Sequence, residues 1–252
     1  MTELELHTLL VVTVLVAAGL TCIALFFVTA PYGRHVRSGW GPTIPAKFGW
    51  IVMESPAVLL FLKVYLAGDN AVQIVPLCFL CLWQFHYVYR TFIYPFRLRH
   101  TTNRMPWAIV CMALGFNSIN AYINARWISH FGNYAESWLA SPAFLFGLAL
   151  FLAGWMINRH ADRMLLQLRG DGESGYRIPQ GGLYRLVSCP NYLGEMLEWI
   201  GWAVLTWSTA GLAFAVFSIA NLLPRAIANH RWYQTEFAGY PSERKAVIPF
   251  VL

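Results

Sequence analysis

Long apolar blocks alternate with short polar segments along the chain. A helix that crosses a bilayer needs about 20 consecutive apolar residues. Seven blocks approach or reach that length, at residues 7–29, 48–67, 71–90, 106–125, 140–158, 192–207 and 209–225. The pattern predicts an all-α integral membrane protein, a bundle of seven transmembrane helices that forms a single membrane domain over residues 1–252.

The composition agrees with this pattern. The 252 residues are 58% hydrophobic and only 12% charged, whereas a soluble domain carries about 25% charged residues. The opening "MTELELH" is acidic and leads into a block of full spanning length. These features favour a first membrane helix over a cleaved signal, whose first region is basic.

The basic residues predict the orientation of the bundle. All Lys and Arg residues except Lys63 and Arg126 fall in the first, third and fifth loops or in the C-terminal tail. With seven spans these segments share one side, which the positive-inside rule makes cytoplasmic. The N-terminus is then outside or luminal and the C-terminus cytoplasmic. The host membrane would be a bacterial inner membrane or the endoplasmic reticulum. The net charge of +6 follows from this topology, and no soluble region remains to bind nucleic acid.

Two short motifs are weak signals. "CFLC" at residues 78–81 lies inside an apolar block without a second pair or a nearby His, so packing cysteines are expected rather than a metal site. "GDGESG" at residues 170–175 matches the dinucleotide fingerprint in letters. That fingerprint needs a strand before it and a helix after it, and the sequence instead predicts a turn.

Polar residues four apart mark one face of each of the last three predicted helices. Such spacing places side chains on a common face, and ionisable groups inside a bundle indicate function. The set suits a phosphate-bearing nucleotide bound in a cytoplasmic cavity, because Arg binds phosphates while carboxylates and amides take hydroxyl or amide groups. The alternative is a set of hydrogen bonds that only join helices. The residues are Asn158, Asp162, Asn191, Glu195, Asn221, Arg225, Asn229 and Tyr233, with Arg169, Tyr176 and Arg177 in the intervening loop.

A second constellation lies in the first half of the chain. Glu54 falls within the second span, and the third span ends in "WQFHYVYRTFIYPFR", which contains Tyr87. Aromatic residues at a membrane interface are usually belt residues, but a buried carboxyl group needs a partner. A Tyr–Glu pair is suited to act as a general acid, in which the carboxyl group orients the phenol and the phenol donates to a developing oxyanion.

Three longer motifs carry a family resemblance. "YRIPQGGLYRLVSCPNYLGEMLEWIGWAVLTWS", "FHYVYRTFIYPF" and "FAGYPSERKAVIPF" resemble the steroid 5-alpha-reductase family. The similarity runs from "PYGRH" near residue 32 to the C-terminus. It implies a seven-helix membrane enzyme that uses NADPH to reduce a carbon–carbon double bond conjugated to a ketone, with hydride delivered to C5 of a Δ4-3-oxosteroid. The substrate would be a steroid or a related enone lipid that enters from the bilayer.

The resemblance also implies roles for individual residues. Tyr87 and Glu54 would polarise the 3-keto oxygen, among substrate-side helices in residues 1–125. Cofactor-binding helices and loops would occupy residues 140–252, with the cofactor held by Asn158, Asp162, Arg169, Tyr176, Arg177, Asn191, Glu195, Asn229 and Tyr233. Glu198 would be structural support. Two features depart from the animal members. Met53 stands where they have Gln beside the glutamate, and it is still expected to contact substrate. The chain reads "ANHRWY", with Asn229 and His230, where they have a His-rich run.

Two other functions compete with this interpretation. An S-adenosylmethionine-dependent membrane methyltransferase of related C-terminal architecture would explain the polar faces but not Tyr87 and Glu54. A non-enzymatic sterol- or lipid-binding protein, or a small transporter, would leave the polar set without a role. Transporters often show inverted repeats and broken helices, and neither is evident here.

Overall fold

Helices make up most of the part of the chain that the structure describes. The computed structural model describes residues 1–30, 35, 39–97, 104–168 and 176–252. Within these residues the helices are α1 (Glu3–Phe27), α2 (Ala46–Leu66), α3 (Ile74–Val88), α4 (Tyr94–Arg97), α5 (Trp107–Arg126), α6 (Pro142–Gln167), α7 (Pro190–Thr206) and α8 (Thr209–Glu236). Single π-helical turns extend α3 over Tyr89–Ile93 and α5 over Trp127–Phe131.

Each predicted apolar block coincides with a helix. Among the described residues, five helices are long and apolar enough to cross a membrane: α1, α2, α5 with its π turn, α6 and α8. The other two blocks form α3 and α7, which are shorter. The structure therefore agrees with the predicted fold class, an all-α membrane protein. Helices α6 and α8 continue beyond their apolar blocks to Gln167 and Glu236, over the residues whose four-residue spacing predicted polar helix faces.

Side-chain caps define where three of the long helices begin. Thr2 and Glu5 form a reciprocal capping box at α1. Ser141 accepts from the Phe144 amide at α6, and Ser208 accepts from the Gly211 amide at α8. Each cap satisfies an amide that has no partner within its helix.

A short antiparallel ribbon was not predicted. Strands β1 (Thr43–Pro45) and β2 (Arg104–Pro106) pair immediately before α2 and α5. Each strand ends in a proline, which cannot donate to a continuing ladder and suits the start of a helix. The ribbon thus fixes the two helix starts side by side.

Helices α6 and α7 pack with their backbones in contact. Glycines at 147 and 154 on α6 face glycines at 194 and 201 on α7. A Cβ atom added to Gly154 would lie 2.4 Å from the Glu198 nitrogen, so these positions have no room for a side chain. Small residues allow such close approach between membrane helices. The contact sets the register that later brings Asn158 beside Asn191.

Gly154→Ala is therefore expected to lower the thermal unfolding temperature of the detergent-purified protein. The added methyl group forces α6 and α7 apart, and overpacking of this kind costs about 1–3 kcal/mol. Gly115→Ala on α5 is the matched control, because a Cβ there meets nothing within 4 Å. Equal unfolding temperatures for the two variants would contradict the close packing.

The interior is dominated by aromatic rings. Trp83 stacks on Phe61 with ring centroids 4.4 Å apart and contacts Trp199 and Trp202. Its indole nitrogen donates to the Ala57 carbonyl at 2.7 Å, which satisfies the polar edge of the ring. This cluster packs α2, α3 and α7 together, and its Trp199 also lines the cavity of the candidate site.

Candidate active site

One cavity of about 180 Å³ lies among α2, α3, α5, α7 and α8. Its walls mix apolar rings with carboxyl, amide and guanidinium groups, as expected for a ligand site. It gathers residues that the sequence placed in separate constellations, since Glu54 and Tyr87 face the same space as Glu195 and Arg225. The wall also includes Trp50, Met53, His86, Arg90, Met105, Ile109, Ala113, Phe116, Asn117, Tyr192, Trp199, Phe214, Phe217, Ser218, Asn221 and Leu222.

Aromatic neighbours hold Tyr87 on three sides. Its ring stacks on Trp199 at 5.5 Å between centroids, and it also contacts Trp83 and His86 at 4.8 and 4.9 Å. The side chain is buried. Rings packed this closely allow little rotation, so the phenol is presented to the cavity from a fixed position.

Glu54 is bound by Asn117 and not by Tyr87. The Asn117 amide nitrogen lies 2.7 Å from the Met53 carbonyl and 3.4 Å from Glu54 Oε2. Within the described part of the chain, no hydrogen bond joins Glu54 to Tyr87. Sequence reasoning missed Asn117, although an Asn inside an apolar block was a usable signal. Both Glu54 and Tyr87 still line the cavity.

Arg90 connects the two halves of the site. Its guanidinium nitrogens lie 3.8 Å from Asp162 Oδ2 and 3.7 Å from Glu195 Oε2. Its cation also lies over the Trp50 ring, 4.7 Å from the centroid. The π-helical turn Tyr89–Ile93 begins one residue earlier, and such turns often reposition residues at functional sites. The sequence assigned Arg90 only to the basic loop end of the third span.

Three of the predicted cofactor residues form one hydrogen-bonded chain. Asn158 donates to the Asn191 carbonyl at 3.0 Å, and the Asn191 side chain donates to Asp162 Oδ1 at 3.3 Å. Asn158 and Asp162 are buried on α6, and Asn191 is at the start of α7. With Glu195 and Arg90 they make a polar wall. The polar faces of α6 and α7 therefore meet in the fold.

The other predicted cofactor residues in the described part of the chain lie near the end of α8 or in the loop before α7. Asn229 is buried, bonds His35 Nε2 through its oxygen at 3.0 Å, and donates to the Tyr192 hydroxyl at 3.4 Å. Tyr233 stacks on Tyr240 with centroids 5.2 Å apart. Elsewhere Tyr176 packs edge-on against Trp232, and Arg177 is exposed. Arg169 and the glycine motif at 170–175 lie outside the described residues.

The closing segment of the chain fastens the loop before α7. The Ser188 and Cys189 amides donate to the Lys245 and Ala246 carbonyls at 2.8 and 3.0 Å. Arg244 is buried and donates to the Pro179 carbonyl and the Gln180 side chain, each at 3.0 Å. These contacts join two of the segments that carry the family resemblance, the loop before α7 and the end of the chain.

Glu198 pairs with His86 across the bundle. The imidazole Nδ1 lies 2.7 Å from the Glu198 carboxyl, and both side chains are buried. The sequence left this glutamate as structural support and gave no role to His86. None of the five cysteines, all of which lie in the described residues, forms a disulfide, and no group of three potential metal ligands was found in the residues described.

The fold and the site together define a helical membrane protein with a polar-lined internal cavity, and similarity assigns its family. Residues 103–252 match the family model described as 3-oxo-5-alpha-steroid 4-dehydrogenase. The chain is 45% identical to the steroid 5-alpha-reductase DET2 of Gossypium hirsutum over 236 residues, covering 92% of each chain. It is 44% identical to that of Arabidopsis thaliana over 95% of this chain and 94% of the relative. It is 41% identical to human 3-oxo-5-alpha-steroid 4-dehydrogenase 1 over 87% of this chain and 85% of the relative.

The chain therefore belongs to the steroid 5-alpha-reductase family, the 3-oxo-5-alpha-steroid 4-dehydrogenases. It is an oxidoreductase. The predictions of family and enzyme class are confirmed, and the family match decides against the methyltransferase and the non-enzymatic lipid-binding protein that the sequence had left open.

Proposed function

We propose that this enzyme reduces the Δ4 double bond of 3-oxo-Δ4-steroids with NADPH, giving 5-alpha-3-oxosteroids. Relatives named steroid 5-alpha-reductase and 3-oxo-5-alpha-steroid 4-dehydrogenase cover nearly the whole chain. The observation that carries the proposal is the shared cavity. Tyr87 and Glu54 line the same space as Glu195, and Arg90 links that space to Asp162. A steroid and a nucleotide could therefore meet there.

The polar wall fits the nicotinamide cofactor. Asp162 Oδ2 is buried and accepts no hydrogen bond from a described residue, an arrangement that a hydroxyl or carboxamide donor would satisfy. Asn158, Asn191 and Glu195 add amide and carboxyl groups beside it. Arg169, Tyr176, Arg177, Asn229 and Tyr233 would hold the remainder, with Arg169 and Arg177 as contacts to its phosphates. When bound, the reduced nicotinamide supplies the hydride.

Tyr87 stabilises the charge that develops on the substrate. Hydride addition at C5 moves electrons toward the 3-keto oxygen, where a positioned phenol can donate a hydrogen bond or a proton. Trp199, Trp83 and His86 hold the phenol in place. Glu54, fixed by Asn117, contributes a second polar group at the same wall, and Met53 contacts the steroid. The surrounding rings exclude water, which strengthens these interactions.

The proposal includes the orientation in the membrane. All seven apolar helices would span the bilayer, with the N-terminus outside or luminal and the C-terminus cytoplasmic, which follows from the distribution of Arg and Lys. Residues 1–125 would mainly supply the substrate-side helices and residues 140–252 the cofactor-binding helices. The cofactor site would then face the cytoplasm, where NADPH is available.

The test is product analysis in a single turnover. Detergent-purified protein is mixed with NADPH and a Δ4-3-oxosteroid, cofactor absorbance is followed, and the product is identified by mass and stereochemistry. A product two hydrogens heavier with 5-alpha geometry is expected. Folded protein that binds NADPH but leaves several such steroids unreduced would place the substrate among other enone lipids. Failure to bind NADPH would overturn the cofactor assignment.

Glu195→Ala is expected to weaken NADPH binding about tenfold or more, equivalent to about 1.4 kcal/mol. The change removes a carboxyl group from the polar wall and leaves Arg90 with Asp162 as its remaining acidic partner in the described site. Titration of cofactor fluorescence gives the Kd. Glu236→Ala, at the exposed end of α8, is the control and should bind NADPH like the parent. An unchanged Kd for Glu195→Ala would make this glutamate structural.

A further inference from the structure

The His86–Glu198 pair is an acid–base group on the cavity wall that the reaction described so far does not use. His86 lines the cavity, and its Nδ1 atom lies 2.7 Å from Glu198 Oε1. Glu198 is completely buried, and its other oxygen has no hydrogen-bond partner in the part of the chain described. The carboxyl group therefore depends on the imidazole.

The number of protons on this pair determines whether the Nε2 atom carries a hydrogen. With a single proton the pair carries a net negative charge, which is costly in an apolar interior. With two protons it is neutral, either as imidazolium beside carboxylate or as carboxylic acid donating to Nδ1. In both neutral forms Nε2 carries a hydrogen. The positive charge of Arg90 is offset by the carboxyl groups of Asp162 and Glu195, which lie 3.8 and 3.7 Å from its guanidinium nitrogens, and Glu54 adds a further acidic group on the cavity wall.

The imidazole lies on the cavity wall beside the Tyr87 phenol. The imidazole packs edge-on against Tyr87 and Trp199, with centroids 4.9 and 4.7 Å apart. Nδ1 is occupied by Glu198. No hydrogen bond links Nε2 to another described residue. The free donor is therefore beside the phenol assigned to the 3-keto oxygen, which lies two bonds from C4.

We propose that His86 is the proton donor to C4 and that Glu198 is its positioning residue; this rests on the proposed steroid reduction. Hydride addition at C5 leaves an enolate with a C3–C4 double bond. The Nε2–H bond then breaks and its proton forms the new C4–H bond with the enolate π electrons, while the C3 carbonyl re-forms. The N–H electron pair stays on the imidazole. The His–Glu pair is left with one proton and a negative charge, and water restores the second proton.

The reverse of this step, in which the singly protonated His–Glu pair takes a proton from C4 and the steroid becomes the enolate, gives a test that needs no cofactor turnover. A 5-alpha-reduced 3-oxosteroid is incubated with the enzyme in D2O, and deuterium at C4 is measured by mass spectrometry after subtraction of the buffer rate. His86→Asn keeps a donor toward Glu198 but removes Nε2, and it should slow exchange about 100-fold or more. Glu198→Gln keeps a hydrogen bond to the ring but removes the negative charge that stabilises a protonated imidazole. It should therefore also slow exchange.

Two controls separate proton transfer from a structural role. His130→Asn alters another His–acid pair, with Asp69 at 3.1 Å, outside the cavity wall, and should exchange like the parent. Thermal unfolding and steroid binding are measured for every variant. Parent-like exchange in His86→Asn, or loss of exchange that merely follows loss of steroid binding, would overturn the proposal. So would a parent enzyme that reduces the steroid but does not exchange C4. A parent that fails to reduce steroids with NADPH would instead refute the proposed function.

Discussion

Replacing Tyr87 by phenylalanine is expected to lower turnover about 100- to 1000-fold, the usual cost of removing one donor to a developing oxyanion. The substitution removes only the hydroxyl group, so the ring contacts with Trp83, His86 and Trp199 remain. The fold and the polar wall at Asp162 and Glu195 should be unaffected. The expected result is therefore a loss of turnover without a change in the Kd for NADPH.

Single-turnover reduction of a Δ4-3-oxosteroid and a cofactor titration measure the two quantities separately. Tyr65→Phe is a matched control, because Tyr65 is a buried tyrosine whose hydroxyl donates to the Ala71 carbonyl at 2.8 Å, outside the cavity wall. That variant loses a hydrogen bond but should retain turnover. If Tyr87→Phe reduced the steroid at the parent rate, the phenol would have no role as donor.

The sequence predicted the helices and much of the polar wall because both depend on local periodicity. Each apolar block became a helix, and the four-residue spacing of Asn158 with Asp162 and of Asn191 with Glu195 placed each pair on one face. The glycine contact between α6 and α7 then joined those faces. The ribbon at Thr43–Pro45 escaped prediction because three-residue strands have no recognisable period.

The contacts between distant helices could not be read from periodicity. His86 and Glu198 are 112 residues apart, and only the packing of α3 against α7 makes them neighbours. Arg90 follows an apolar helix, so the sequence alone indicates only a basic residue at the cytoplasmic end of a span. In the fold a π-helical turn begins beside it, and its guanidinium group faces two carboxyl groups. Periodicity predicts which face of a helix is polar, but not which helix faces it.

Arg90→Gln is expected to have the broadest effect on the enzyme, because it removes the cation between Asp162 and Glu195. Two partly or fully buried carboxyl groups would then face each other without compensation, and breaking a buried ion pair in this way costs about 3–5 kcal/mol. Both NADPH affinity and turnover should fall, since Arg90 joins the polar wall to the cavity. Thermal unfolding, cofactor titration and single-turnover reduction measure the three consequences.

A second substitution tests whether charge balance is the cause. Arg90→Gln combined with Glu195→Gln removes one negative charge along with the positive one, so it should unfold at a higher temperature than Arg90→Gln alone. Arg97→Gln is the control, because Arg97 is exposed and donates to the Tyr89 hydroxyl at 3.0 Å. If Arg90→Gln matched that control in stability and NADPH binding, the guanidinium would not hold the two halves of the site together. If the double variant were no more stable than the single one, the shape of Arg90 over the Trp50 ring would matter more than its charge.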